Sequence, residues 1–352
     1  MPRRLLLYRL RILAAISLIW LVFGIVFHFN LISPENDLGV QVSTVEFALT
    51  FSIIGFIISA ALIFYLKPAF SHQPLWLSIL FKLVLTFILF LAIAFILLVV
   101  YYEIAYNGIF ENYIESFFTK IATRKTFHYF IIEMGLMTVL SIIVIEITDK
   151  YGPGMFWSML IGEYNQPKQE NRIFIFLDIN ESTTIAEDLG HTQYFLMLRR
   201  FFRDITIPIL ANDGEIYQYV GDEIVITWPN TPENKIKSLK FIRNTYFLIE
   251  RLKDQYQKRY GHVPRFKAGV HAGEITAGFI GVIKKELIYS GDIVNTTARI
   301  RSMCHELDES FVLSEDFMQD FHAPHGYTIE GKGEIELKGR SEPIKLFSMT
   351  FD

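Results

Sequence analysis

Cysteine is nearly absent. Cys304 is the only one in 352 residues, so no internal disulfide can form, and the second half of the chain fits a reducing compartment. A strong excess of either charge is also missing. The formal net charge is −4, which gives no reason to expect a nucleic-acid partner. No small-residue cleavage site follows the first apolar stretch, and that stretch is too long for a signal-peptide core. It reads as a retained anchor. Polarity is scarce in the first half: hydrophobic residues make up 51% of the chain and the mean hydropathy is +0.32.

Four stretches, residues 12–29, 47–66, 83–102 and 127–147, approach the roughly 20 apolar residues needed to cross a bilayer. Arg3, Arg4, Arg9 and Arg11 precede the first, whereas residues 30–46 contain no Lys or Arg. Basic residues near span ends stay inside. The N-terminus is therefore expected in the cytoplasm, and four spans return the second half there, in a multi-pass inner-membrane protein. Lys120, Arg124 and Lys125 fall on the outer side against this rule. Residues 104–125 repeat aromatic and apolar positions at helical spacing, which suits an interfacial helix or a tilted extension of the third span. Lys82 is expected to snorkel to the cytoplasmic edge. Glu133 is costly within a span and should face other helices. His28 and His128 sit near span ends, where hydration or a metal pair are alternative readings. Four spans exceed what an anchor needs, so a small apolar or membrane-borne ligand is a conceivable partner. Repeats and paired broken helices, the marks of a transporter, are not found.

Gly152, Pro153 and Gly154 should end the fourth helix, and a short apolar stretch at 155–164 follows. Residues 165–172, NQPKQENR, read as a polar connector. The expected division is a membrane domain at 1–150, a linker or transducer at 151–170 and a soluble domain at 171–352. The soluble part alternates elements: a strand at 173–179, a helix at 191–210 ended or bent by Pro208, a hairpin at 216–228, a helix from Pro232 to about Tyr260, strands at 266–271 and 275–280, a helix at 292–305 and a strand-rich end. A β-α-β-β-α-β order gives a ferredoxin-like α+β sandwich.

Four segments carry candidate chemistry. In FLDINESTTIAE, Asp178 ends a buried-type strand, and Thr184 with Glu187 has capping-box spacing. A carboxylate beside a helix N-terminus suits a metal and a phosphate chain, although an Asp there also simply terminates a strand. In IYQYVGDEIVITW, Gly221 and Asp222 mark a tight hairpin. If its strands lie beside the Asp178 strand, two hard oxygen ligands meet at one sheet edge. Glu223 has no assigned role beyond a solvent-facing or structural one. In SGDIVNTTARIR, Asn295 and Arg299 are four apart and share a helix face, as a ligand-facing or a solvated pair. In ELKGRSEPIKLF, Lys338 lies between strand-like runs, free to meet phosphate or water.

In this order the four segments, FxD, GD, VNxxxR and LKGxxEPI, resemble the class III nucleotidyl cyclases, in particular their bacterial membrane-bound type. The resemblance covers residues 171–350. It implies an α-helical membrane domain of four transmembrane helices followed by an α+β ferredoxin-like class III cyclase catalytic domain. It implies two divalent cations, Mg²⁺ or Mn²⁺, on Asp178, Asp222 and the carbonyl of Ile179. Asn180, Glu181, Ser182 and Thr183, with Gly221, would cradle the triphosphate, although Ser182 stands where a Phe is common. Asn295 would orient the ribose, Arg299 would stabilise the transition state and Lys338 would hold phosphate. The family builds its sites between two catalytic domains, so the resemblance implies a homodimer. Its base-selecting positions are non-standard here: Gln218 replaces a Lys, and Ile288 an Asp or Thr. The Gln218 amide both donates and accepts and suits adenine. ATP is therefore the expected nucleoside triphosphate, with GTP or a pyrimidine nucleotide as alternatives. A catalytically inactive signalling module is the other reading, opposed by the presence of both aspartates and the Asn–Arg pair.

Overall fold

A computed structural model describes residues 3–31, 43–70, 73–106, 125–151, 158, 161–283, 285–340 and 342–351. The chain divides into two units, one carrying Leu6–Tyr151 and the other Gly152–Asp352. The interfacial stretch at 107–124, the loop at 32–42 and the Gly152–Pro153–Gly154 break lie outside the described residues, as does most of 155–160.

The first unit is helical: α1 (Arg3–Leu31), α2 (Thr44–Ala60), α3 (Leu75–Tyr106) and α4 (Lys125–Tyr151). Each contains a segment long and apolar enough to cross a membrane: Leu5–Phe29, Thr44–Ala69, Trp76–Ile93 and His128–Thr148. The second of these runs on through a π-helical turn, Ala61–Leu66, to Lys67–Ala69. Ser43 and Glu46 form a capping box that starts α2. Glycine lets α1 and α2 approach closely. A Cβ on Gly55 would lie 2.3 Å from Cγ of Trp20, and the buried Trp20 indole donates to Ser141 Oγ at 2.8 Å. Lys82 is a paired charge. It is 6% exposed and its ammonium meets Glu146 at 2.6 Å, because a paired charge between helices costs less than a lone one in an apolar setting. Glu133 is half-buried on α4. His28 is not a hydrated interfacial residue. It is buried, with its ring 5.4 Å from that of Phe47, while His128 is exposed.

The second unit is built on β1 (Lys168–Ile179), α5 (Ser182–Ala211), β2 (Glu215–Val220), β3 (Glu223–Pro229), α6 (Pro232–Tyr260), β4 (Phe266–Ile280), β5 (Glu286–Ser290), α7 (Asp292–Glu306), β6 (Phe311–Ser314), α8 (Glu315–Met318), β7 (Tyr327–Ile335) and β8 (Ile344–Phe351). The sheet order is β2-β3-β1-β4-β6-β8-β7, with β5 paired to β4. Its first four strands have the ferredoxin-like order, all antiparallel.

β1 begins within the polar connector. Buried Arg172 holds that end, donating from Nε to Thr227 Oγ1 at 3.0 Å and from Nη1 to Glu170 at 2.8 Å, and pairing with Glu215. β4 is one continuous strand rather than two. Side chains alternate across β1. Ile173, Ile175, Leu177 and Ile179 enter the core under α5 and α6. Phe174 and Phe176 enter a second core with Ile293 of α7. Thr231 caps α6, accepting from Asn234 N at 3.2 Å, and Pro232 takes the first helical position. α5 differs from the sequence expectation. Its break is at Gly190 (φ +73°), where only glycine is unstrained, and Pro208 sits inside its last turns. Nor do Thr184 and Glu187 form a capping box. The helix starts three residues earlier than that cap would place it, after Glu181 in a left-handed conformation (φ +56°), and has no side-chain cap.

Candidate active site

The sheet register decides which side chains meet. Asp178 is even-numbered on β1, so it shares the face of Phe174 and Phe176, toward α7. It lies opposite Glu223 of β3. Val220 pairs with Glu223, leaving Gly221 and Asp222 as a two-residue turn, with Gly221 at φ +62°. The hairpin tip thus brings Asp222 to the Asp178 end of β1. Burial, then the Asp222 and Glu223 charges, push the Asp178 carboxyl up to about 7, against the pull of Arg301. Burial also raises the Glu223 carboxyl, again against Arg301.

Arg301 of α7 was not singled out by the sequence. Its Nη1 lies 3.0 Å from Asp178 Oδ2, and its Nε lies 3.0 Å from Glu223 Oε2. The second contact is close but poorly aimed, for both Nε and Oε2 lack a properly directed hydrogen-bond partner. Glu223 is therefore neither solvent-facing nor idle. Tyr194 of α5 is a second addition. Burial, followed by the Asp222 charge, raises its phenol. Sequence signals for these three are faint, because each depends on a fold-level neighbour.

Beyond β1, Asn180 N donates to Arg265 O at 2.8 Å, and Glu181 turns the chain into α5. Ser182 and Thr183 open the helix. Its first amides, free of a side-chain cap, form an anion-favouring end beside Asp178.

Asn295 and Arg299 sit elsewhere on α7. Asn295 is exposed. The Arg299 guanidinium packs on the turn that carries Lys338 and Gly339, where an added Cβ on Gly339 would lie 3.1 Å from Arg299 Nη2. Gly339 has φ +79°, and Lys338 is exposed. Arg299 Nη1 is buried without a hydrogen-bond partner among the described residues. No hydrogen bond or ion pair joins Asn295 or Arg299 to either aspartate among the described residues. The chain therefore presents two separate groups of candidate residues.

Gln218 pairs with Val225 across the β2–β3 ladder, after a bulge that leaves Tyr217 unpaired, and so shares the α7-side face. Ile288 is half-buried on β5, opposite Gly278. Its neighbour Tyr289, on the other face of the strand, packs edge-on against Phe174 and Tyr217 at 5.4 and 5.0 Å.

Divalent cations fit the aspartate group. Its carboxyls are short of positive charge, as the raised Asp178 and the poorly matched Glu223 oxygen show. No cluster of three or more His, Cys, Asp and Glu gathers for a metal among the described residues. The expected ligand set needs only two carboxylates and one backbone carbonyl.

Comparison with known proteins gives a consistent result. The profile of the adenylate and guanylate cyclase catalytic domain matches residues 164–350. Adenylate cyclase 2 of Rhizobium meliloti (strain 1021) is 36% identical over 212 residues, 59% of this chain and 58% of that protein. Adenylate cyclase 1 of the same strain is 27% identical over 181 residues, 50% of this chain and 27% of its own length. The chain thus spans less than two thirds of either curated relative. A solved structure of a bacterial light-regulated adenylyl cyclase shares the fold, with a TM-score of 0.52 at 20% identity over 65% of this chain and 67% of that one.

Proposed function

The chain belongs to the adenylate and guanylate cyclase catalytic domain family, and from that premise we propose that it converts ATP to 3′,5′-cyclic AMP and pyrophosphate as a membrane-bound homodimer. The observation that carries this reading is the pair Asp178 and Asp222 at one sheet edge, beside the uncapped start of α5. Asp178, Asp222 and the Ile179 carbonyl would hold two divalent cations, Mg²⁺ or Mn²⁺. When bound, these cations lower the pKa of the ribose 3′-hydroxyl and neutralise the triphosphate.

The chain's own residues have separate tasks. The amides of Glu181, Ser182 and Thr183 at the start of α5, with Gly221, bind the β- and γ-phosphates through backbone N–H groups, while Asn180, whose own N–H is taken by Arg265 O, shapes the turn that presents them. Asn295 orients the ribose so that its 3′-oxygen lies in line with the α-phosphorus. The 3′-oxygen–phosphorus bond forms as the α–β bridging bond breaks. The hydroxyl proton leaves to solvent and the electron pair leaves on pyrophosphate. Negative charge grows on the α-phosphoryl oxygens, and Arg299 supplies a fixed counter-charge with the unused Nη1. Lys338 adds a second positive group. Gln218 is the residue of this chain that would meet the base, whereas Ile288 lies on the opposite face of β5 and would reach it only by way of the turn at the strand's end.

The separation of the two residue groups within one chain supports a shared site. Two copies related by a two-fold axis would set the aspartates of one against the Asn295–Arg299 face of the other, giving two equivalent sites. Four apolar helices anchor the catalytic dimer at the inner membrane, with the N-terminus and catalytic domain cytoplasmic. Residues 1–150 form the membrane domain, 151–170 the transducing link and 171–352 the catalytic domain. A small apolar ligand in the membrane domain would act through that link.

Purified full-length protein in detergent with Mn²⁺, offered ATP, GTP, CTP and UTP separately, tests the reading. Cyclic AMP with ATP is the expected product. Cyclic GMP or a cyclic pyrimidine nucleotide alone would overturn the base assignment, and no cyclic product with any nucleotide would overturn the activity.

A further inference from the structure

The guanidinium of Arg301 occupies the centre of the acidic cluster. It touches Asp178 and Glu223, each at 3.0 Å, from a side chain only 30% exposed. The two carboxylate side chains are more enclosed still, 21% and 12% exposed. Other cations are committed elsewhere. Lys267 lies opposite Asp178 in the β1–β4 register, but its ammonium donates to Cys304 O at 3.4 Å.

The backbone behind Arg301 cannot move closer to β4. α7 crosses β4 so closely that a Cβ on Gly269 would lie 2.4 Å from Arg301 N. A shift of the guanidinium between its two carboxylates needs side-chain rotation only, since Asp178 and Glu223 are cross-strand neighbours. The two halves of the fork are not equally well made. The Glu223 contact is short yet misdirected. Charge, rather than a locked hydrogen-bond geometry, holds Arg301 in place.

We propose that Arg301 is a positioning residue of the metal site: it serves as the resident counter-ion of Asp178 when no metal is bound, and a divalent cation must displace it from Asp178, leaving it on Glu223. This rests on the reading of Asp178 and Asp222 as metal ligands. Arg301 then sets metal affinity in two ways. It competes directly for Asp178 Oδ2, and its charge repels the incoming cation. It also keeps three neighbouring carboxylates from facing one another uncompensated before the metal arrives. Glu223 is the second seat that receives the guanidinium, which gives this residue a role.

The test is Mn²⁺ binding to the full-length protein in detergent without nucleotide, read from the electron paramagnetic resonance signal of free Mn²⁺. Arg301→Gln is expected to bind Mn²⁺ on the order of tenfold more tightly than wild type. A purely structural role would leave affinity unchanged or weaken it. Arg301→Lys keeps the charge but loses the two-pronged fork, and should fall between wild type and Arg301→Gln. It also covers the case in which Arg301→Gln does not fold. Asp178→Asn separates the two levels of the argument. If Asp178→Asn binds Mn²⁺ as wild type does, the metal-site reading falls, and this proposal with it. If Asp178→Asn loses Mn²⁺ and neither Arg301 variant binds more tightly than wild type, the role of Arg301 alone is overturned.

Discussion

Asp178 and His271 are both buried titratable groups, and they respond to burial in opposite directions. Asp178 is pushed toward its neutral acid, up to about 7, first by burial and then by the two carboxylates near it, against the pull of Arg301. His271 of β4 is pushed toward its neutral base, down to about 4. Burial is the main cause. The Asp316 carboxylate at 3.6 Å and Asp292 of α7 pull upward, and Arg340 pushes downward. Its Nδ1 meets Ser314 Oγ at 2.8 Å. Between about 4 and its ordinary 6.5, the unfolded chain holds more protons on this histidine than the folded one. Stability from His271 is therefore complete above 6.5 and lost as pH falls toward 4. Thermal midpoints of wild type should drop over that window. His271→Gln, which retains a partner for Ser314, should drop less. Equal pH dependence of the two proteins would contradict the placement of His271.

At the scale of elements, the close crossing of α7 over β4 makes a sharp prediction. Gly269→Val forces α7 away from the sheet at Arg301 and should cost about 1–3 kcal/mol, read as a lower unfolding midpoint. An unchanged midpoint would mean that the helix does not sit so close. Such a crossing is invisible in the sequence, where Gly269 is one small residue in an apolar strand. Features set by neighbours along the chain were legible. Thr231 and Pro232 start α6 as local chemistry dictates. The Gly221–Asp222 turn and the alternating faces of β1 follow from period two. Features set by distant partners were not. The start of α5 at Ser182 depends on Asn180 bonding to Arg265 rather than on a Thr184 cap. Lys82 finds Glu146 64 positions away. Glu223 and Tyr194 gain their surroundings only once the sheet and α5 are assembled.

At the scale of the whole molecule, one chain carries two groups of candidate site residues and does not join them. Asp178 and Asp222 cluster with Arg301, while Arg299 leans on the Lys338–Gly339 turn. Sequence motifs pointed to both groups, since each is a short local pattern. Their separation within a chain is a property of the fold. The account accordingly makes activity a property of the dimer, with each copy lending one half to each site. Mixed dimers of Asp178→Ala and Arg299→Ala test this most directly. Each variant alone should be nearly inactive, since every site lacks either its metal ligand or its transition-state charge. Co-expressed at equal levels, half the dimers are mixed and each mixed dimer keeps one intact site of two. Cyclic nucleotide production should then recover to about a quarter of wild type. Recovery to that level is the predicted result, and a mixture as inactive as either variant alone would contradict the shared site.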